Sequence, residues 1–208
     1  MSEQNQNQNQ NKIDIRQIDI VFVSDMFLQD YAGGAELTTE ALIISSPFNV
    51  LRMHTSAITN EVMSQLSEKH WVFGNMAQLD SEMIPSIVAN LTYSILEYDY
   101  KYCVHRSPEK HEHSENTPCD CEHNIHGKMI SAFYYGATSM WWMSEAQQSR
   151  YFKLFPFLRE NVSVVLSSVF DDKFFLDVKL LNSLNGDKER SGWIVLGSNS
   201  WIKGADDA

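Results

Sequence analysis

The sequence predicts an α/β fold: a Rossmann-like open parallel sheet with helices on both faces. Three observations lead there. Short apolar runs of strand length recur along the chain, amphipathic stretches of about 10 residues separate them, and a glycine pair follows the first run. That first run, Ile18 to Val23, is broken only by Asp19 and reads as a buried parallel strand. Gly33-Gly34 and a helix over Ala35 to Ile44 come next. A second strand is expected over Asn49 to Thr55, a helix over Glu61 to Lys69 and a third strand over His70 to Gly74. Met83 to Leu91 reads as a helix with Pro85 in its first turn, where a missing N–H costs little, and Tyr93 to Tyr102 as a fourth strand. After a polar stretch the alternation resumes with a helix from Lys128 to Tyr135, a strand from Ser139 to Met143 and an amphipathic helix from Glu145 to Phe155. A strand over Ser163 to Leu166 and a helix over Asp171 to Leu184, stopped by Asn185-Gly186-Asp187, complete the series.

Composition narrows the class of protein. The 208 residues are 43% hydrophobic and 12% aromatic, enough to bury the core of one ordinary domain. A formal net charge of −11 argues against nucleic acid as a partner, because phosphate backbones are bound by clustered Lys and Arg. No apolar run approaches the ~20 residues of a transmembrane segment, and the N-terminus lacks a signal-peptide layout, so a cytoplasmic location is expected. Residues 1–17 begin with a Gln/Asn tract that has nothing to bury and is expected to be disordered. The domain proper is placed at 18–190. At 191–208 a strand-like Trp193 to Leu196, Gly197 and Lys203-Gly204 read as the opening of a second, donor-binding domain, so the chain is expected to be the front half of a longer protein.

Between the fourth strand and the next helix lies the chain's densest chemistry. All three cysteines and five of the seven histidines fall within 103–126. Thiolates and imidazoles at short spacing are the ligand set of tetrahedral zinc, and in a reducing compartment clustered cysteines mean metal more often than disulfide. Cys103, Cys119 and Cys121 with one of His105, His123 or His126 would close a Cys3His site, a structural clip for an irregular insertion at 103–127. An iron–sulfur cluster on the three cysteines is the second metal reading. A plain polar insertion, or a disulfide from Cys103 to Cys119 or Cys121, is the alternative to metal.

Several local strings, in their order, resemble the GT-B class of glycosyltransferases, specifically the retaining, family-4-like group. They are Val23-Ser-Asp-Met-Phe-Leu28 ahead of Tyr31-Ala-Gly-Gly-Ala-Glu36, Trp142-Met-Ser-Glu145 before a helix, Ser167-Ser-Val-Phe-Asp171 before Phe174-Phe175, and Leu196-Gly197 followed by Lys203-Gly204. The resemblance spans roughly residues 18 to 208. It implies an enzyme that moves a sugar from a nucleotide-sugar donor to a hydroxyl acceptor on a carbohydrate, a lipid-linked molecule or a protein, with the donor in a cleft between two domains. Gly33 and Gly34 match the loop that approaches the diphosphate; there glycine would allow close approach and φ > 0, with the helix N-terminus and Glu36 beside it. Lys203 matches the lysine whose charge stabilises the departing nucleoside diphosphate, while the arginine often found after the strand's glycine is Ser198 here. Members of that class often carry a histidine near the position where this chain has Tyr98. Glu97 and Asp99 stand at the end of the fourth strand, where ligands of parallel sheets bind, and are the candidate catalytic carboxylates. The competing function is a non-catalytic, metal-stabilised module that binds carbohydrate or protein. A nucleotide-dependent epimerase or oxidoreductase is disfavoured, because no G-x-G-x-x-G follows the first strand.

Overall fold

A computed structural model describes residues 14–186. The tail through residue 13 and the 187–208 segment, with Lys203, Ser198 and the expected opening of a second domain, lie outside the described residues. Six parallel strands form one sheet in the order β2-β1-β3-β4-β5-β6. They are β1 (Ile20–Ser24), β2 (Val50–His54), β3 (His70–Phe73), β4 (Thr92–Glu97), β5 (Ser139–Trp142) and β6 (Val162–Val165). The helices are α1 (Gly34–Ser45), α2 (Asn60–Gln65), α3 (Ile84–Asn90), α4 (Pro108–Glu115), α5 (Ile125–Gly136), α6 (Glu145–Leu154) and α7 (Asp172–Asn185). This is the open α/β architecture that the alternating runs predict.

Alternation along the strands sorts side chains into two cores. On one face Val21, Val23, Trp71, Phe73, Tyr93, Ile95, Met140 and Trp142 pack beneath α2, α3, α5 and α6. The other face buries Phe22, Val72 and Leu96 against Ile43 of α1 and Phe27 of the loop after β1. The first core is rich in aromatic rings: Tyr93 stacks on Phe133 at 4.9 Å and donates its hydroxyl to the Phe133 carbonyl at 2.6 Å. That bond fixes α5 over the centre of the sheet. The last helix is different. None of α7's residues is buried, and Phe175, Leu176, Leu180, Leu181 and Leu184 face solvent among the described residues.

Two local differences from the sequence-based expectations bear on function. Strand β4 stops at Glu97 rather than continuing to Tyr102, because the Glu97 carboxylate accepts the Lys101 backbone N–H at 3.1 Å and closes residues 97–101 into a turn. The 103–127 insertion is not irregular throughout. Ser107 caps α4 by accepting from the Lys110 N–H at 3.1 Å, with Pro108 at the first helical position. Asn116 ends that helix in the left-handed conformation, Cys121–His123 forms a 3-10 turn, and 125–127 already belongs to α5. Residues 15–17, assigned from sequence to the tail, form a 3-10 turn capped by Asp14.

Candidate functional site

In a sheet of this order the chain runs from β1 outward to β2 on one side and then crosses to β3 on the other, so the topological switch point lies between β1 and β3 at their carboxyl ends. The loops there are tied together. Asp25 donates its N–H to the Asn75 carbonyl at 2.7 Å, and its carboxylate accepts from the Ala77 and Gln78 N–H groups at 2.6 and 3.1 Å. One strand over, a cleft of about 370 Å³ opens between the loops after β3 and β4, lined by Met76, Leu79, Lys101, Arg106, His126 and Met129 among others.

The cleft's polar wall is an ion-pair relay. Glu97 is fully buried, with Lys101 Nζ 3.3 Å from its Oε1; the same Nζ donates to the Leu96 carbonyl at 3.2 Å. Burial pushes the Glu97 carboxyl up against the pull of the Lys101 charge, and its Oε2 is enclosed without a hydrogen-bond partner. Asp99 is half-buried. Its Oδ2 lies 2.7 Å from Arg106 Nε as an ion pair off the hydrogen-bond line, and Arg106 Nη2 donates to Asn75 Oδ1 at 2.7 Å, so Arg106 bridges the loops after β3 and β4. The Asp99 carbonyl accepts from Gln147 Nε2 and from the Tyr151 hydroxyl. Of the two carboxylates singled out from sequence, only Asp99 reaches solvent.

Gly33 and Gly34 stand on the opposite side of the sheet. Gly33 is the N-cap of α1 with φ −108°, and Gly34 is the first helical residue. Neither needs the left-handed backbone expected from sequence, which corrects the φ > 0 argument while leaving the other reason for glycine, open space. A Cβ at Gly34 would meet nothing within 4 Å, whereas one at Gly33 would strike the Glu36 carboxylate and the Tyr31 ring. Glu36 is nearly buried and folds back over its own helix N-terminus, where a negative charge is favourable. Beside it the Tyr98 hydroxyl is 2.6 Å from Thr39 Oγ1, so Tyr98 braces α1 against the end of β4. Burial pushes the Tyr98 hydroxyl well up. The loop after β6 joins this group through the Val169 N–H, 3.3 Å from Thr38 Oγ1.

The insertion between β4 and α5 gathers Cys103, His111, Cys119 and Cys121, whose ligand atoms all lie within 4.8 Å of one another; all but Cys119 are buried. The three cysteines are free thiols. A Cys3His group of this kind can hold a metal ion. The histidine is not one that the sequence put forward. His105 meets Glu115 at 3.1 Å, His126 Nε2 is 2.9 Å from the Lys101 carbonyl, and exposed His123 lies beside Glu122 at 3.8 Å. His111 comes in because the Ser107 cap starts α4 where it does: one turn in, the His111 N–H bonds the Ser107 carbonyl at 3.0 Å and the ring folds back toward Cys103. The Ser-Pro-Glu string at 107–109 is the helix-start signal that could have found it. Burial pushes the Cys103 thiol up and the Cys119 thiol up to about 12, so a cation binding there must displace their protons.

Fold and site together define an open parallel α/β domain with a Cys3His group at the carboxyl edge of its central strand. The chain matches no family model and no curated protein. No helix among the described residues is long and apolar enough to cross a membrane.

Proposed function

We propose that this domain is the acceptor-side half of a GT-B, family-4-like glycosyltransferase, which moves a sugar from a nucleotide-sugar donor to a hydroxyl of a carbohydrate, lipid-linked or protein acceptor. One observation supports the reading above the rest. Three described regions that carry the resemblance, 23–36, 142–145 and 167–171, are far apart in sequence yet lie together at the carboxyl edge of one parallel sheet, where ligands of open α/β sheets bind. In this reading the open side of Gly34 and the N-terminus of α1 face the donor diphosphate. Asp99 is the carboxylate that reaches an acceptor hydroxyl, Glu97 acts from inside by holding Lys101, and Lys203 supplies charge to the departing nucleoside diphosphate. The Cys3His group is a structural metal site, since three thiolates and an imidazole leave no open position for substrate.

The test is a panel of nucleotide sugars offered to the full-length protein, with release of nucleoside diphosphate as the readout. One donor should be consumed, and Gly34→Val should lower that turnover by on the order of 10-fold or more, because its side chain fills the space before the helix N-terminus. Stability should hold, since nothing lies within 4 Å of a Cβ there and valine is a better helix former than glycine. Undiminished turnover in the variant would reduce the loop to a plain turn. If the full-length protein consumed no donor, the transferase reading would fall and a binding module would take its place.

A further inference from the structure

We infer that Cys103, His111, Cys119 and Cys121 hold one zinc ion in a closed tetrahedral site, and that this ion is the strut that fixes Arg106 across the cleft. The inference builds on the structural-metal reading above and is independent of sugar transfer.

The donor set selects the metal. Three soft sulfurs and an imidazole suit zinc, whereas calcium and magnesium take oxygen ligands. The spacing selects a single ion. Zn–S bonds of about 2.3 Å put tetrahedral ligands about 3.8 Å apart. The observed donors lie within 4.8 Å, and Cys121 Sγ is already 3.3 Å from His111 Nδ1. Small side-chain rotations close the rest, while an iron–sulfur cluster would stand its thiolates on separate irons and spread them wider. On binding, Zn2+ forms three Zn–S bonds and one Zn–N bond, and three thiol protons leave to solvent.

Neighbouring groups hold the ligands in place. The Cys103 thiol reaches the Ser107 carbonyl at 3.5 Å, which ties this ligand to the cap of α4. His105 sits edge-on to the His111 ring at 5.3 Å while its Nε2 meets Glu115, so it backs the ligand ring without itself joining the group.

The link to the cleft runs along the nine residues 103–111. Arg106 has φ 57°, a left-handed conformation that is unfavourable for a non-glycine residue. It sits between two ligands, Cys103 and His111. Its N–H bonds the Cys103 carbonyl at 2.8 Å, and its carbonyl accepts from the Tyr100 N–H at 3.3 Å. Packing gives this loop little support, because Val104 is exposed and Arg106 only half-buried. A strained residue persists when its surroundings over-determine it, and a metal bonded on either side does that. With the backbone so held, the guanidinium reaches both Asp99 and Asn75 and forms the cleft's wall.

Three measurements on the intact protein test this. Elemental analysis after growth in zinc-replete medium should give one zinc per chain; His111→Ala should lose it, His111→Cys keep it, and His123→Ala leave it unchanged. Cobalt substituted for zinc should show the intense visible bands of a tetrahedral thiolate site. A protein without stoichiometric zinc, or one that carries copper or iron in its place, overturns the assignment and the metal reading with it. Amide hydrogen exchange is then followed with and without a zinc chelator. Exchange at Cys103 and Arg106 should rise by ten-fold or more on chelation, while β1, β3 and β4 stay protected. One zinc per chain with unchanged exchange at Arg106 would overturn the strut alone and leave the metal site standing.

Discussion

Gly127→Ala should weaken both the protein and its hold on metal, although alanine is the better helix former. Gly127 is the third residue of α5, its N–H accepted by Asn124 Oδ1 at 2.8 Å, and the Cys121 carbonyl lies directly against its Cα face. An added methyl overlaps that carbonyl and the Glu122 backbone, which are main-chain atoms and cannot rotate away. The helix gain is about 1 kcal/mol. Overpacking of a rigid contact costs about 1–3 kcal/mol, so the net change is destabilising. Cys121 moves with its carbonyl, and zinc should be retained less well against a competing chelator. Urea melts of the zinc-loaded protein check the first part. Gly34→Ala is the control, because a Cβ there meets nothing, and it should gain up to about 1 kcal/mol. If Gly127→Ala melts with the wild type and keeps its zinc, the close packing of α5 on the Cys121 turn does not constrain the site.

The parallel sheet was legible because each strand is a short apolar run and helices such as α5 and α6 set apolar residues on one face, and burial makes both patterns obligatory. What the sequence hid was set by contacts between residues that no periodicity records. Tyr98, Tyr100 and Tyr102 extend a strand-like pattern past Glu97, but the buried carboxylate captures the Lys101 N–H and turns the chain. The glycine pair signals a left-handed turn, yet Gly33 serves as an N-cap and Gly34 as a helical residue, and the packing of Glu36 and Tyr31 requires the first of them. The three cysteines marked the metal group by type and clustering. Its histidine was obscured because nearness in sequence favoured His105, His123 and His126, whereas the Ser107 cap and one helical turn bring in His111. Arg106 drew no notice at all: its left-handed backbone and its bridge from Asp99 to Asn75 exist only in the folded chain.

Lys101→Met should be among the most destabilising single changes in the domain, and its cost should depend on pH. Lys101 Nζ is the cation nearest the fully buried Glu97 and the donor to the Leu96 carbonyl; methionine fills a similar volume and supplies neither charge nor hydrogen bond. Glu97 Oε2 already lacks a partner, so losing the ammonium leaves a carboxylate that burial disfavours and little compensates. Breaking a buried pair from one side costs about 3–5 kcal/mol. The carboxyl can escape part of that cost by taking a proton, and this sets the sign of the pH effect. Its folded pKa is raised by burial in the wild type and rises further without Lys101, while the unfolded value stays near ~4.3. Between those two values the folded state holds a proton that the unfolded state has released. Stability therefore falls as pH rises through that window and levels off above the folded pKa. The variant's deficit should be largest in alkaline buffer and shrink toward mildly acidic pH, a trend that thermal melts across the range would follow. Glu97→Gln combined with Lys101→Met removes the charge instead of stranding it and should recover most of the loss. A Lys101→Met protein that loses less than about 1 kcal/mol, equally at every pH, would show that Glu97 carries no charge in the native fold and that the pair does not hold the end of β4.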